Sequence, residues 1–347
     1  MSVLSTSVKS LVVTSALVIT PAFAQQTSDK PLEEVYVYGE QGTTDTATKL
    51  NLSLFETPQT VTAISRVQLE EFSLTTINDV LEYTPGVTVE EVETDRSYYT
   101  ARGFDIVNFQ YDGVGIPFIS GLNLGQQDTA IYEKVEVVKG AAGLITGLAN
   151  PSATINYVRK RPTEGFQADL GLNLGEWHGR RIEGDVSGSF SDNVRGRLVA
   201  VYDSSESYLD RHEDETTLGY GIVEFDLSDR TLLTLGHSYD NSHSSGGLWG
   251  ALPLLYSDGT QTDYDVSTSN APDWTFADTV QNQTFVELKH ALTDSWAFNA
   301  MLTRNTTDYE SELFYVYGVP DRATEIGLFG YASGYEREEE QLSLIHI

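Results

Sequence analysis

The chain contains no cysteine, which removes disulfide frameworks, thiolate-bound zinc, iron–sulfur clusters and cysteine nucleophiles together. It is also short of positive charge. Among 347 residues, 21 Lys and Arg stand against 51 Asp and Glu, a formal net charge of −30. Partners held through phosphates need clustered Lys and Arg to displace counterions, so nucleic acid is excluded as a partner class. Long hydrophobic runs are missing too: the clearest apolar stretch, Leu11 to Ile19, falls well short of the roughly 20 residues that a membrane-spanning helix needs. What the chain does have is tyrosine, 19 residues against 2 methionines, a bias towards β structure.

That apolar stretch follows one cation, Lys9, and ends in Pro21-Ala22-Phe23-Ala24 before Gln25-Gln26. A short apolar region with a small-residue ending is a secretory signal peptide, with cleavage expected after Ala24. An exported chain without a membrane-spanning helix is either soluble or an outer-membrane β-barrel.

Residues 25–50 are rich in Thr, Gln and Asp and read as a flexible segment. One island interrupts them, Glu33-Glu34-Val35-Tyr36-Val37-Tyr38. Its valine–tyrosine alternation has strand character. It is either an N-terminal edge strand or a segment that adds to a partner's sheet. Residues 51–163 read as a compact, glycine-rich α+β domain. Ser65 caps one helix carrying Val67, Leu69 and Phe72. Thr75 or Thr76 caps a second, with Ile77, Val80 and Leu81 on one face and Pro85-Gly86 stopping it. Short strands are expected at 61–64, 87–89, 109–111, 134–138 and 154–158, with a turn at Asp112-Gly113.

From residue 164 the pattern changes to segments of about ten residues that alternate apolar and polar, the signature of a transmembrane β-barrel. Ile182, Val186 and Phe190, with Gly184 and Gly188, form one face of a strand, against Arg181, Glu183, Asp185, Ser187 and Ser189 on the other. Leu198, Ala200 and Tyr202 repeat the lipid-facing pattern, as do Trp296, Phe298, Ala300 and Leu302. Tight turns at 191–193, 228–230 and 293–295 contrast with long connections at about 244–278 and 312–330. A soluble β-sandwich also alternates with one polar face, but the signal peptide and the unequal connections argue for the barrel.

Read in order, these pieces resemble the TonB-dependent outer-membrane siderophore receptors, in particular those for hydroxamate and mixed ferric siderophores. The resemblance runs from Leu32 to about Glu340. It rests on Glu56-Thr57-Pro58-Gln59-Thr60-Val61, on Asn78-Asp79-Val80-Leu81 to Thr84-Pro85-Gly86-Val87, on Arg102-Gly103-Phe104 and on Asn108 to Gly113. Tyr132 to Gly140, and Gly147 to Ser152 continuing through Asn156 to Pro162, complete the set. It implies an α+β plug, residues 51–163, inside a transmembrane antiparallel β-barrel that has 22 strands in the family, a lumen wide enough to need a plug. Residues 164–347 supply only seven or eight of those strands, at about 25 residues per strand and connection, so a C-terminally truncated barrel is expected. No room for the family's N-terminal signalling domain is expected ahead of the plug.

The resemblance also assigns roles. Glu33, Glu34, Val35, Tyr36, Val37 and Tyr38 become the TonB box, to which TonB adds a strand and on which it pulls with energy from the inner-membrane proton gradient. Siderophore contacts are expected at Tyr98, Tyr99, Arg102, Phe104, Asn108, Phe109 and Gln110 on the plug, and at Trp249, Trp274 and Phe276 in the loops, because aromatic faces suit a bulky ligand with few polar anchors. Each Trp has a membrane-girdle alternative. Arg102, Arg159, Lys160 and Arg161 are expected to pair with lumen carboxylates such as Glu183 and Asp185 and so seat the plug.

No metal site and no cofactor are expected, the iron arriving already chelated. His237, His243 and Asp240 lack a further fixed ligand, Asp258, Asp263 and Asp265 lack EF-hand spacing, and the Gly140–Gly147 run lacks a phosphate-loop ending. Nothing supports an enzyme. The expected partners are TonB, ferric siderophore, and outer-membrane lipid and lipopolysaccharide around a monomer. Other cargo, such as cobalamin or an oligosaccharide, and a passive porin remain the alternatives.

Overall fold

The computed structural model describes residues 42–44, 46–48, 52–116, 118, 123–140, 150–324 and 326–346. The expected signal peptide, the 33–38 island and most of the Gly140–Gly147 run lie outside the described residues. The N-terminal described strands, β1 (Thr43–Thr44) and β2 (Leu52–Ser53), pair with each other.

Two helices follow β3 (Thr60–Ser65): α1 (Arg66–Glu71) and α2 (Ile77–Tyr83). Both begin with capping boxes, Ser65 with Gln68 and Thr76 with Asp79, in which side chains satisfy backbone N–H groups that have no partner within the helix. Thr76 rather than Thr75 is therefore the cap. Ile77, Val80 and Leu81 are buried as expected. On α1 only Leu69 is buried; Val67 and Phe72 are exposed, and Phe72 stacks on Tyr83 with ring centroids 5.0 Å apart. Gly86 takes φ 77°, ending α2 where a side chain is disfavoured.

A small sheet of β4 (Thr88–Glu91), β5 (Arg96–Ala101) and β6 (Phe104–Asp105) comes next in the chain. The strand β7 (Asn108–Tyr111) turns into β8 (Val114–Ile116) through Asp112-Gly113, both at positive φ, the backbone of a tight two-residue hairpin. β9 (Asn123–Leu124) pairs with β5. β10 (Tyr132–Lys139) and β11 (Ala153–Arg159) complete a five-stranded mixed sheet in the order β3-β10-β11-β7-β8. Strands are thus found at all five expected places, while β5, β6, β8 and β9 are additions.

Eight strands then run as one antiparallel meander in sequence order: β12 (Gln167–Leu174), β13 (Arg180–Ser191), β14 (Val194–Glu206), β15 (Glu213–Ser228), β16 (Thr231–Ser245), β17 (Phe276–Ala291), β18 (Ala297–Gly318) and β19 (Leu328–His346). Side chains alternate across a strand, and the outward set is the expected one. Leu170, Leu172, Ile182, Val186, Leu198, Leu302 and Leu344 are exposed, flanked by Tyr202 and Tyr239 on one side and Phe190, Trp296 and Phe298 on the other, the apolar band and aromatic girdles of a barrel wall. Turns at 192–193, 229–230 and 292–296 oppose connections at 175–179, 207–212, 246–275 and 319–327. The last is shorter than expected, because cross-strand aromatic pairs, Tyr315 with Tyr331 and Tyr317 with Phe329, extend the pairing beyond the apolar band.

The inward face departs from a simple polar lumen. Val199, Val201, Leu218, Ile222, Phe285 and Met301 are each at most 3% exposed and form one apolar cluster with the plug's Val135, Val137, Ile155 and Tyr157. Plug and wall share a core because the plug, not water, fills this part of the lumen. Each such side chain contributes about 1.5–3 kcal/mol by its burial.

Candidate ligand-binding site and plug–wall contacts

The strand β5 separates the two tyrosines expected to act together. Tyr98 is half-exposed and donates to Glu90 Oε2 at 2.5 Å. Tyr99 points the other way into the plug core, 4% exposed, with its hydroxyl donating to Asn78 Oδ1 at 2.7 Å and its ring against Phe109. Tyr99 is therefore a core residue, since consecutive strand positions face opposite sides. The β5–β6 turn is Arg102-Gly103, with φ of 56° and 79°, and this two-residue hairpin pushes Arg102 and Phe104 out to the surface. Arg102 forms no ion pair among the described residues. The expected pairing with a lumen carboxylate is corrected: the turn carries its guanidinium towards Gly140 instead.

Asn108 is half-buried, and Phe109 and Gln110 are buried in the plug sheet. Phe109 packs on Phe118, Tyr157 and Tyr99. It also lines a cavity of about 130 Å³ between the plug aromatics and the wall residues Gln281, Gln283, Asn305 and Gln341.

The connection 246–275 brings Trp249 to the inner face of the β18–β19 ends. It is 8% exposed, with its indole edge-on to Tyr315, Tyr331 and Tyr335 at 5.4, 5.5 and 5.7 Å. Sequence reading missed these three tyrosines, although their spacing along strands that alternate was visible. Trp274 packs on Phe314 at 6.1 Å. Phe314 and Phe276 share the strand face of the outward residues Leu302 and Val286, so Trp274 and Phe276 lie on the outer surface and not beside Trp249. The neighbour of Trp249 does reach the plug: Thr94 Oγ1 donates to the Leu248 carbonyl at 3.3 Å, and Tyr309 donates to Asp95 at 3.4 Å. Burial, with Glu93 and Asp214 nearby, pushes the Asp95 carboxyl up to about 6.

Three of the expected plug cations do meet the wall. Lys160 pairs with Asp185 at 2.8 Å, and Arg197 shares that carboxylate at 2.7 Å. Arg161 reaches Glu287 at 2.9 Å, Glu224 at 3.6 Å and Asp112 at 3.4 Å. Arg159, fully buried, pairs with Asp112 at 2.6 Å, donates to Gln283 and lies over the Phe285 ring at 4.2 Å. Its wall partners are thus an amide and an aromatic face, not a carboxylate. Burial alone raises the Asp112 carboxyl, but the Arg159 and Arg161 guanidiniums and the Arg159 backbone N–H hold it below the ordinary carboxylate value. Glu183 pairs with Arg181 of its own strand at 3.0 Å rather than with the plug. The contact missed from sequence is the reverse one: Arg181 of the wall grips Asp128 of the plug through both nitrogens, at 2.5 and 3.0 Å.

His237 meets Thr284 and His243 meets Asp278 on the outer strand face. No cluster of His, Asp or Glu able to hold a metal ion occurs among the described residues. No helix among them is long and apolar enough to cross a membrane, which says nothing of a barrel.

The family described as TonB-dependent Receptor Plug Domain matches residues 53–154, the stretch that holds α1, α2 and every strand of the plug sheet except most of β11. Residues 53–154 belong to the plug-domain family of the TonB-dependent receptors. It is 40% identical over 296 residues to the ferripyoverdine receptor of Pseudomonas aeruginosa, covering 82% of this chain and 36% of that one. It is 26% identical to the ferrioxamine B receptor of Salmonella typhimurium, covering 81% and 41%. The crystal structure of the ferripyoverdine receptor bound to ferripyoverdine superposes with a TM-score of 0.82 at 37% identity, over 88% of this chain and 42% of that one. The chain spans well under half the length of these relatives. Like them, it combines a plug with strands of an antiparallel barrel wall.

Proposed function

We propose that this receptor binds a ferric siderophore at the outer surface and imports it into the periplasm by TonB-driven active transport. The observation that carries the reading is the shared core: Val199, Leu218, Phe285 and Met301 of the wall pack on Val135 and Ile155 of the plug. A solute cannot pass there unless the plug moves, and moving a packed interface needs energy that a passive porin does not have. The similarity to the ferripyoverdine receptor supports the cargo class.

In this reading residues 1–24 direct export to the outer membrane, 25–50 carry the TonB box at 33–38, 51–163 are the plug, and residues from 164 enter the wall, surrounded by lipid and lipopolysaccharide. Trp249 with Tyr315, Tyr331 and Tyr335 offers the aromatic surface for the ligand, and Tyr98, Arg102 and Phe104 are the plug residues presented to it. Iron is cargo held by the siderophore, and neither a resident cofactor nor a catalytic step is needed. The test is growth of an iron-starved host with ferripyoverdine or ferrioxamine B as sole iron source, with and without residues 33–38. The reading expects import by the intact receptor, and binding without import after the deletion; uptake that survives the deletion refutes it.

A further inference from the structure

One buried carboxylate takes no part in seating the plug against the wall. Glu136, at the middle of β10, the plug strand between β3 and β11, is 0% exposed. Its carboxylate accepts from the Thr46 hydroxyl and from Asn156 Nδ2 at 3.4 Å, and pairs with Lys134 Nζ at 2.6 Å. Asn156 Nδ2 also donates to Thr46 Oγ1 at 2.7 Å, and Lys134 Nζ donates to the Thr43 carbonyl at 2.8 Å. Thr44, Thr46 and Ala47 are each at most 2% exposed.

Residues ninety positions upstream of Glu136 thus lie against the plug sheet, yet their strand β1 pairs with β2 and with no strand of that sheet. The hydrogen bonds of this side-chain cluster join them to the sheet. Such a buried, charge-centred cluster is strongest while complete and weakens when one member withdraws, because the carboxylate then keeps one hydrogen bond fewer in a low-dielectric site.

We propose that Glu136, Thr46 and Asn156 form the release latch of the plug, the contact that opens first when the chain is drawn from its N-terminal side. This rests on the reading above, in which import is driven by a pull on that side. A pull entering there meets Thr43 and Thr46 before β3, the earliest strand of the plug sheet, which starts only at Thr60. The latch also adjoins the plug–wall contacts. Asn156 Oδ1 accepts from the Gly113 N–H at 2.9 Å, and the neighbouring Asp112 holds Arg159 and Arg161. Glu136 and Asn156 are positioning residues and touch no cargo.

The chain has no cysteine, so a Thr46→Cys/Asn156→Cys pair can be crosslinked without background. The oxidised receptor is expected to bind radio-iron-labelled ferripyoverdine as before, but to import it at least tenfold more slowly, with recovery on reduction. Import at the uncrosslinked rate overturns the latch. A second measurement needs neither cargo nor TonB: single-molecule pulling on the purified receptor from an N-terminal handle. In Thr46→Val the lifetime of the first rupture is expected to fall about 10- to 100-fold, the range that a hydrogen bond to a charged group corresponds to. Equal lifetimes overturn the latch alone, whereas failure of the unsubstituted receptor to take up any ferric siderophore counts against the transport reading alone.

Discussion

Replacing Arg181 by alanine tests how the plug is held. Arg181 donates to both oxygens of Asp128, lies 3.0 Å from Glu183 and 3.2 Å from Asp203, and is 6% exposed at the side chain against 4% for Asp128. Its removal leaves three carboxylates facing one another without a cation. Breaking a buried pair from one side costs about 3–5 kcal/mol, much more than the pair itself is worth against an apolar replacement. The loss is local, because Asp128 anchors the segment that receives α2: its carboxylate accepts from the Ala130 N–H, Thr129 N–H donates to the Thr75 carbonyl, and Ile77 N–H donates to Gln127. Hydrogen exchange in the detergent-solubilised receptor reads it directly. The amides of Ile77, Thr129 and Ala130 are expected to exchange roughly a hundred- to a few-thousand-fold faster, by the usual tenfold per 1.4 kcal/mol, while those at the centre of β11 stay slow. Exchange at Ala130 within threefold of the unsubstituted protein would refute the argument that this pair holds the plug.

Other outcomes follow from the same geometry. Trp249→Ala removes the ring on which Tyr315, Tyr331 and Tyr335 converge, and affinity for ferripyoverdine is expected to fall about 10- to 100-fold, on the scale of an aromatic anchor, in a filter-binding assay; unchanged affinity removes Trp249 from the site. Gly236→Ala would place its Cβ 2.2 Å from the Phe285 ring that supports Arg159, so a melting temperature equal to that of the parent contradicts the packing, overpacking of this kind costing about 1–3 kcal/mol. The plug apex around Thr94 and Asp95, which meets Leu248 and Tyr309 of the wall side, should open as pH rises. The closed-state value of Asp95, about 6 against an ordinary 3.8, means that an open apex ionises first, and closure loses stability between those values. Burial opposes a charge on His212, but Asp214 outweighs it and raises the imidazole, so its contribution is full below its ordinary value of 6.5 and is lost as pH rises through the raised one. The Gly125 amide, which donates to the Asp95 carbonyl, should therefore be better protected at pH 5 than at pH 8 after correction for intrinsic rates, and Asp95→Asn should shrink the difference.

Much of the architecture was legible in the sequence because it is periodic or punctuated. The two-residue alternation through Ile182, Val186 and Phe190 shows which side of β13 meets lipid without any knowledge of its neighbours, since a strand's faces are set by parity alone. Ser65, Thr76 and Pro85-Gly86 mark helix ends by local chemistry, and Asp112-Gly113 marks a hairpin in the same way. Strand parity would also have separated Tyr98 from Tyr99, had a strand been recognised at Arg96–Ala101.

What only the tertiary structure decided is which distant groups meet. Lys160 and Asp185 were expected to be partners, but Arg181 with Asp128, Arg159 with Phe285 and Thr46 with Glu136 join residues 53, 126 and 90 positions apart, and no local pattern encodes such distances. The inward valines and Phe285 belong to a dry core because a plug fills the space in front of them; the same residues facing water would have been misplaced. Composition and alternation are local properties and survive in the bare sequence, whereas a contact is a property of the packed chain and exists only once the plug lies against the wall.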